Sequence, residues 1–123
     1  CARAYHELAK RDTIEVKPYE PLDPAWVRDV FGDLADGIFK ENENDVLKTF
    51  PPESIKEHWQ EIRDVIATIP TAEELIDLYT KIGAKHSLAE LDIDESIRGE
   101  FLDISSAIRN RLTFARMTRL IVK

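Results

Sequence analysis

One cysteine in 123 residues removes any internal disulfide framework, and with it the cystine-stapled secreted folds. The expectation for compartment is the cytoplasm, with a cysteine-poor secreted chain as the alternative. Glycine is scarce too. Gly32, Gly37, Gly83 and Gly99 stand apart and form neither GxGxxG nor GxxxxGK[ST], so no turn in this chain cradles a pyrophosphate and no cofactor-binding residue is assigned. No apolar run approaches the ~18 residues of a membrane-spanning helix. Basic residues are in deficit, 17 against 24 acidic ones, for a net charge of −7 and a pI near 5.0. A nucleic-acid module needs the opposite sign. An initiating methionine is also missing: the chain starts at Cys1. A segment of a longer polypeptide is the expectation, and a processed chain the alternative. A lipid-anchored protein would begin at Cys as well, but Ala2–Lys10 reads as helix and lacks the usual polar tether.

What is present is ordinary globular material, 43% apolar and 33% charged. The length suits a single domain, and a chain of this size buries roughly two-thirds of its unfolded surface, enough for a core without a metal or disulfide staple. The apolar pattern is helical almost throughout. Ala2, Tyr5, Leu8 and Ala9 share one side of a first helix. Asp12–Leu22 is irregular; Thr13, Ile14, Val16 and Tyr19 could extend, but Pro18 and Pro21 favour a connecting loop. Asp23-Pro24 opens a second helix, with Asp as cap and Pro in the first turn. Trp26, Val27, Val30 and Phe31 are its apolar stripe and Gly32 its end. Leu34, Ile38 and Phe39 continue to a polar Glu41–Asp45 turn, followed by Val46, Leu47 and Phe50.

Pro52–Ile69 is the longest predicted helix, with Ile55, Trp59, Ile62, Ile66 and Ile69 inward and Lys56, Glu57, Gln60, Arg63 and Asp64 outward. Thr71-Ala-Glu-Glu74 is a capping box. It starts a helix whose core face is predicted as Leu75, Ile76, Leu78, Tyr79 and Ile82, closed by Gly83. Ser87–Glu90 repeats the capping pattern. Asp94 caps a helix carrying Ile97, Phe101, Leu102, Ile104 and Ile108, and Thr113 caps a terminal helix, Phe114–Val122. The sum is an all-α domain, an irregular bundle of seven to nine mostly short helices. Trp26 and Trp59, each within an apolar stripe, are both expected to be largely buried.

No catalytic constellation emerges from the residues. His6-Glu-Leu-Ala-Lys10 falls short of a zincin pair because Lys10 cannot bind zinc. His58 and Glu61 lie one helical turn apart and could share a metal, but a lone pair on a charged face reads as surface. His86 reads as loop. Glu73/Glu74 and Asp92/Asp94 have capping explanations, and Cys1 has only Arg3 nearby to activate it. No catalytic and no metal residue is assigned. The charge distribution is the sharper feature: from Arg109 onward come Arg109, Arg111, Arg116, Arg119 and Lys123 without an acid, while the first 108 residues hold 12 basic and 24 acidic residues. Two roles are open to that tail. It can pair with helix carbonyls and acids of the fold, or it can form a wall facing a phosphate.

Ile69-Pro-Thr-Ala-Glu-Glu-Leu75, Lys81-Ile-Gly-Ala84, Leu88-Ala-Glu-Leu-Asp-Ile93 and Ile108-Arg-Asn-Arg-Leu-Thr113 together resemble the distal part of metal-dependent polyol dehydrogenases, the glycerol-1-phosphate dehydrogenases in particular. Dehydroquinate synthase and glycerol dehydrogenase are related. The likeness covers about Pro70 to Arg116, and is more general upstream, where Ala2–Lys10 resembles the helix after the metal site. It implies a parent enzyme with an N-terminal nucleotide-binding domain, NAD(P), and a divalent metal (Zn, Ni or Fe) held by Asp and two His. The distal ligand in that family is a His followed by Gly. Here the histidines precede Glu7, Trp59 and Ser87, so none matches, and the ligands would lie before Cys1. The resemblance therefore implies a C-terminal helical subdomain, inactive alone, whose partner is the missing nucleotide-binding domain and which could form a homo-oligomer. Neither nucleic acid nor a membrane is expected as partner. Arg109 and Arg111 are the candidates for substrate phosphate. The alternative is a non-enzymatic helical interaction or oligomerisation module.

Overall fold

The computed structural model describes all residues, 1–123, and is all-α. Eight α-helices and five 3₁₀ turns run together into six helical stretches and two isolated 3₁₀ turns, covering 62% of the chain. That is slightly fewer than the seven to nine expected, because neighbouring short helices fuse. No strand forms. One antiparallel bridge, Val16 to Ile121, is the only sheet-like pairing. No helix is long and apolar enough to cross a membrane.

α1 (Ala2–Ala9) lies against α5 (Trp59–Ala67). The last carbonyls of α1 lack intrahelical donors, and α5 supplies a donor to one of them and another to a residue just past the helix. Arg63 Nε donates to the Ala9 carbonyl at 2.9 Å, and the Trp59 indole to the Arg11 carbonyl at 2.9 Å. Arg63, expected to face outward, is thus bound to α1. α4 (Glu53–Glu57) and α5 make up the predicted long helix, separated by a relaxed turn at His58, where ψ opens to 19°. Bonds from His58 N to Ser54 O and from Ile62 N to His58 O carry the chain through the break. Ile55 and Trp59 consequently stay on one side and in the core.

α2 (Pro24–Phe31) begins as expected, with Asp23 accepting from Ala25 N. It turns at Gly32, φ +52°, into a 3₁₀ turn and α3 (Ala35–Glu41). A positive φ at that junction is open to glycine at little cost. α7 (Phe101–Ala107) follows a 3₁₀ run, Glu95–Glu100, and packs on α8 (Phe114–Met117). Thr113 caps α8 by accepting from Arg116 N at 3.3 Å. The terminal helix stops at Leu120, short of the predicted Val122, because Leu120–Val122 pair with Glu15–Lys17. Lys17 N donates to Leu120 O at 2.8 Å and Val122 N to Glu15 O at 2.9 Å. The stretch expected as a plain loop is therefore partly extended, and it places Ile14 in the core.

Two small clusters hold the chain together. Ile14, Leu47, Ile55, Trp59, Leu120 and Ile121 form one; Val27, Ala35, Ile38 and Ala107 form the other. With only 15 of 123 residues buried, each buried group matters more than it would in a larger domain. Trp59 is 4% exposed, as predicted, whereas Trp26 is only half-buried and donates its indole N–H to Glu100 at 2.7 Å.

The largest departure concerns α6 (Ala72–Lys81). Its ends form as expected, except that the Glu74 carboxylate makes no return bond to the Thr71 N–H. Thr71 accepts from Glu74 N at 3.2 Å, and Gly83 at φ +73° closes a Schellman motif in which Ala84 N reaches Tyr79 O and Gly83 N reaches Thr80 O. Its predicted core face is nevertheless not in the core. Leu78, Tyr79 and Ile82 are 51%, 40% and 68% exposed, Ile76 is exposed too, and no residue of the helix is buried. Periodicity found the stripe; of its residues only Leu75 is half-buried.

Candidate functional site

The basic tail divides into two pairs of arginines with different surroundings. Arg116 and Arg119 converge on a single carboxylate, Asp45. Arg116 Nη1 lies 3.0 Å from Asp45 Oδ1 and Arg119 Nη1 lies 2.8 Å from Oδ2. Arg116 is fully buried, the Asp45 side chain is 1% exposed and that of Arg119 10%. Arg116 Nη2 also donates to the Ser106 and Arg109 carbonyls at 2.5 and 2.7 Å, closing the C-terminal end of α7. Arg119 donates to the Glu20 carbonyl and sits over the Tyr19 ring, 5.9 Å from its centre. Asp45 further accepts from Leu47 N at 2.9 Å, capping the 3₁₀ turn Val46–Lys48.

Burial pushes the Asp45 carboxyl up. The Leu47 N–H, the hydrogen bond and charge of Arg119 and the charge of Arg116 together outweigh it and hold the group below the ordinary carboxylate value. Burial and the Asp45 charge push the Tyr19 phenol up. This centre joins the two apolar clusters: Asp45 leads into Leu47 of the first, and Arg116 holds the carbonyl of Ser106, next to Ala107 of the second. Sequence reasoning passed over Asp45 as part of a polar turn. The available signal was its place two residues before the apolar Leu47, the spacing of an Asx cap.

Arg109 and Arg111 are the other pair, and they flank a tight backbone turn. Arg111 N donates to the Arg109 carbonyl at 2.9 Å, closing a three-residue turn around Asn110. Asn110 is the anchor of that turn. Its side-chain oxygen accepts from Val46 N at 3.0 Å, its amide donates to the Asn44 carbonyl at 2.8 Å, and its backbone N–H donates to Glu41 at 3.0 Å. Arg116 holds the Arg109 carbonyl from beneath. Both flanking guanidinium side chains are exposed and pair with no acid or carbonyl of the chain. Two free guanidiniums on a pinned backbone can receive a phosphate or carboxylate with little ordering cost.

The histidines are dispersed. His6 Nε2 bonds the Ile69 carbonyl at 2.9 Å, His58 Nδ1 lies 3.1 Å from Glu61 on the surface, and His86 meets Thr80 and Glu90. No group of three or more His, Cys, Asp or Glu side chains is arranged to hold a metal ion. The residues of this chain accordingly do not fit the metal implied by the resemblance. Nor do its scattered glycines fit a nicotinamide dinucleotide. Compared with protein-family models, with curated proteins and with solved structures, the chain matches none of them.

Proposed function

We propose that the chain is the C-terminal helical subdomain of a cytoplasmic NAD(P)-dependent oxidoreductase similar to glycerol-1-phosphate dehydrogenase, and that Arg109 and Arg111 bind the phosphate of its substrate. The observation that carries this reading is the Asn110-anchored turn. It leaves two guanidiniums free, in the one segment where the resemblance expects an Arg-x-Arg-x-Thr pattern. Phosphate recognition favours paired, planar donors that no carboxylate already occupies, and the tail's other two arginines are committed to Asp45. The nicotinamide and the metal would be held by residues outside this chain. Hydride transfer to the ketone carbon of dihydroxyacetone phosphate would take place there, with this subdomain as the opposite wall.

The test is the natural reading frame that contains these residues. About 200 or more upstream residues (the length of a second domain) containing a glycine-rich βαβ pattern and, just before Cys1, a His-Gly, with NAD(P)H-dependent reduction of dihydroxyacetone phosphate by the whole product, would support the reading. A whole product without nicotinamide turnover would defeat it. A second reading, a non-enzymatic interaction module, is favoured by the open face of α6.

A further inference from the structure

We infer that α6 is a self-association element, pairing antiparallel with α6 of a second copy of this chain. The inference holds under either reading of function. The stripe Leu75, Leu78, Tyr79 and Ile82 has the three- and four-residue spacing of a helix-pairing seam. Leu75 is half-buried, and the other three project into solvent. A seam of this kind left open on a surface marks a protein contact.

Charge selects the occupant. Glu74 and Lys81 are seven residues apart and therefore lie on the same flank of the stripe, one at its acidic leading end and one at its trailing end. When two such helices pair antiparallel, equal flanks meet in opposite order. Centring the pair between residues 77 and 78 sets Glu74 of each chain level with Lys81 of the other, twice by symmetry. A parallel pair would instead set this flank against the opposite flank of the partner, where Tyr79 stands, and would leave Glu74 and Lys81 without each other. The antiparallel arrangement also aligns each helix's positive end with the other's negative end. Neither residue is committed elsewhere at much cost. Glu74 has no charged partner, and Lys81 makes only an exposed pair with Asp77 at 2.9 Å. At the next turn the pattern ends in the Schellman motif at Gly83, which limits the seam to α6. A contact of about three turns is small, so the dimer belongs to the weak class, in the micromolar range or above.

Sedimentation equilibrium of the purified chain from about 1 μM to 1 mM reads the association directly, with circular dichroism confirming that each variant keeps its helix content. A monomer–dimer equilibrium is expected, abolished by Ile82→Asp. Glu74→Lys and Lys81→Glu, each creating two like-charge contacts, should each weaken it by roughly tenfold, and the double exchange should restore it. A chain that stays monomeric up to 1 mM overturns the inference, as would follow if another domain covers α6. Dimerisation that ignores Ile82→Asp, or a double exchange no tighter than the single ones, overturns it as well.

Discussion

Replacing Asp45 by Asn keeps the shape of the buried polar centre and removes its only negative charge. In the native chain one carboxylate serves two guanidiniums, so the centre already carries a net positive charge. After the exchange both cations are uncompensated. Arg119, 10% exposed and bordering the open groove that Lys17 and Glu20 line, can turn outward and rehydrate. Arg116, with no exposure, cannot. The penalty is therefore one stranded buried cation, about 3–5 kcal/mol. Unfolding entropy near 2.1 cal/mol/K per residue converts this, for a chain of this length, to a fall in Tm of roughly 10–20 °C. Thermal and urea unfolding followed by circular dichroism measure it. The pH dependence gives a second reading. A carboxyl whose folded pKa is depressed contributes stability that is complete above its unfolded value, near 3.9, and is lost as pH falls through the folded value. The native chain should accordingly lose this contribution below about pH 4. The Asn variant, with no group to protonate, should lack that part of the acid transition. An Asp45→Asn chain within about 1 kcal/mol of the native one at pH 7 would refute the account of the centre, since that is the range of an ordinary surface pair.

Trp59→Ala should cost about 3–5 kcal/mol, the usual range for a large buried aromatic, and here it also strands the Arg11 carbonyl. Iodide should quench Trp26 more than Trp59, as a Trp26→Phe variant separates the two signals; Trp59 quenching like free indole would contradict its burial. Thr71→Ala should destabilise α6 by about 1 kcal/mol through loss of the cap to Glu74 N, and amide exchange along that helix should rise first. The purified chain alone should be helical by circular dichroism yet fail to oxidise NADH with dihydroxyacetone phosphate; turnover would refute the subdomain reading.

Local chemistry was the legible part of this fold. Asp23-Pro24, Thr71, Asp94 and Thr113 each cap the helix or turn that sequence reasoning gave them, because a cap depends on a few neighbouring atoms. Trp59 and Ile55 fell on the right face because helical spacing survives the break at His58. What spacing cannot say is whether a stripe has something to meet. Leu78, Tyr79 and Ile82 are as periodic as Ile55, Trp59 and Ile66, and only the second set is buried, Ile55 and Trp59 in one cluster with Ile14, Leu47, Leu120 and Ile121. The same limit applies to charge. Four arginines in one tail looked alike. Asp45, more than 60 residues away in sequence, takes Arg116 and Arg119 and leaves Arg109 and Arg111 free, a division set by long-range pairing alone. Asn110, which orients those two, carried no signal beyond its position between them.

The claim that Arg109 and Arg111 receive a substrate phosphate is tested most directly by steady-state kinetics of the complete natural polypeptide carrying Arg109→Ala and Arg111→Ala, singly and together. Both side chains are exposed, so each change should shift stability by no more than about 0.5 kcal/mol. The account predicts that KM for dihydroxyacetone phosphate rises by at least tenfold in the double variant, about 1.4 kcal/mol of lost binding. It predicts little change for unphosphorylated dihydroxyacetone, so the preference for the phosphorylated substrate collapses. Unchanged KM for the phosphorylated substrate, or an equal loss on both substrates, would contradict it.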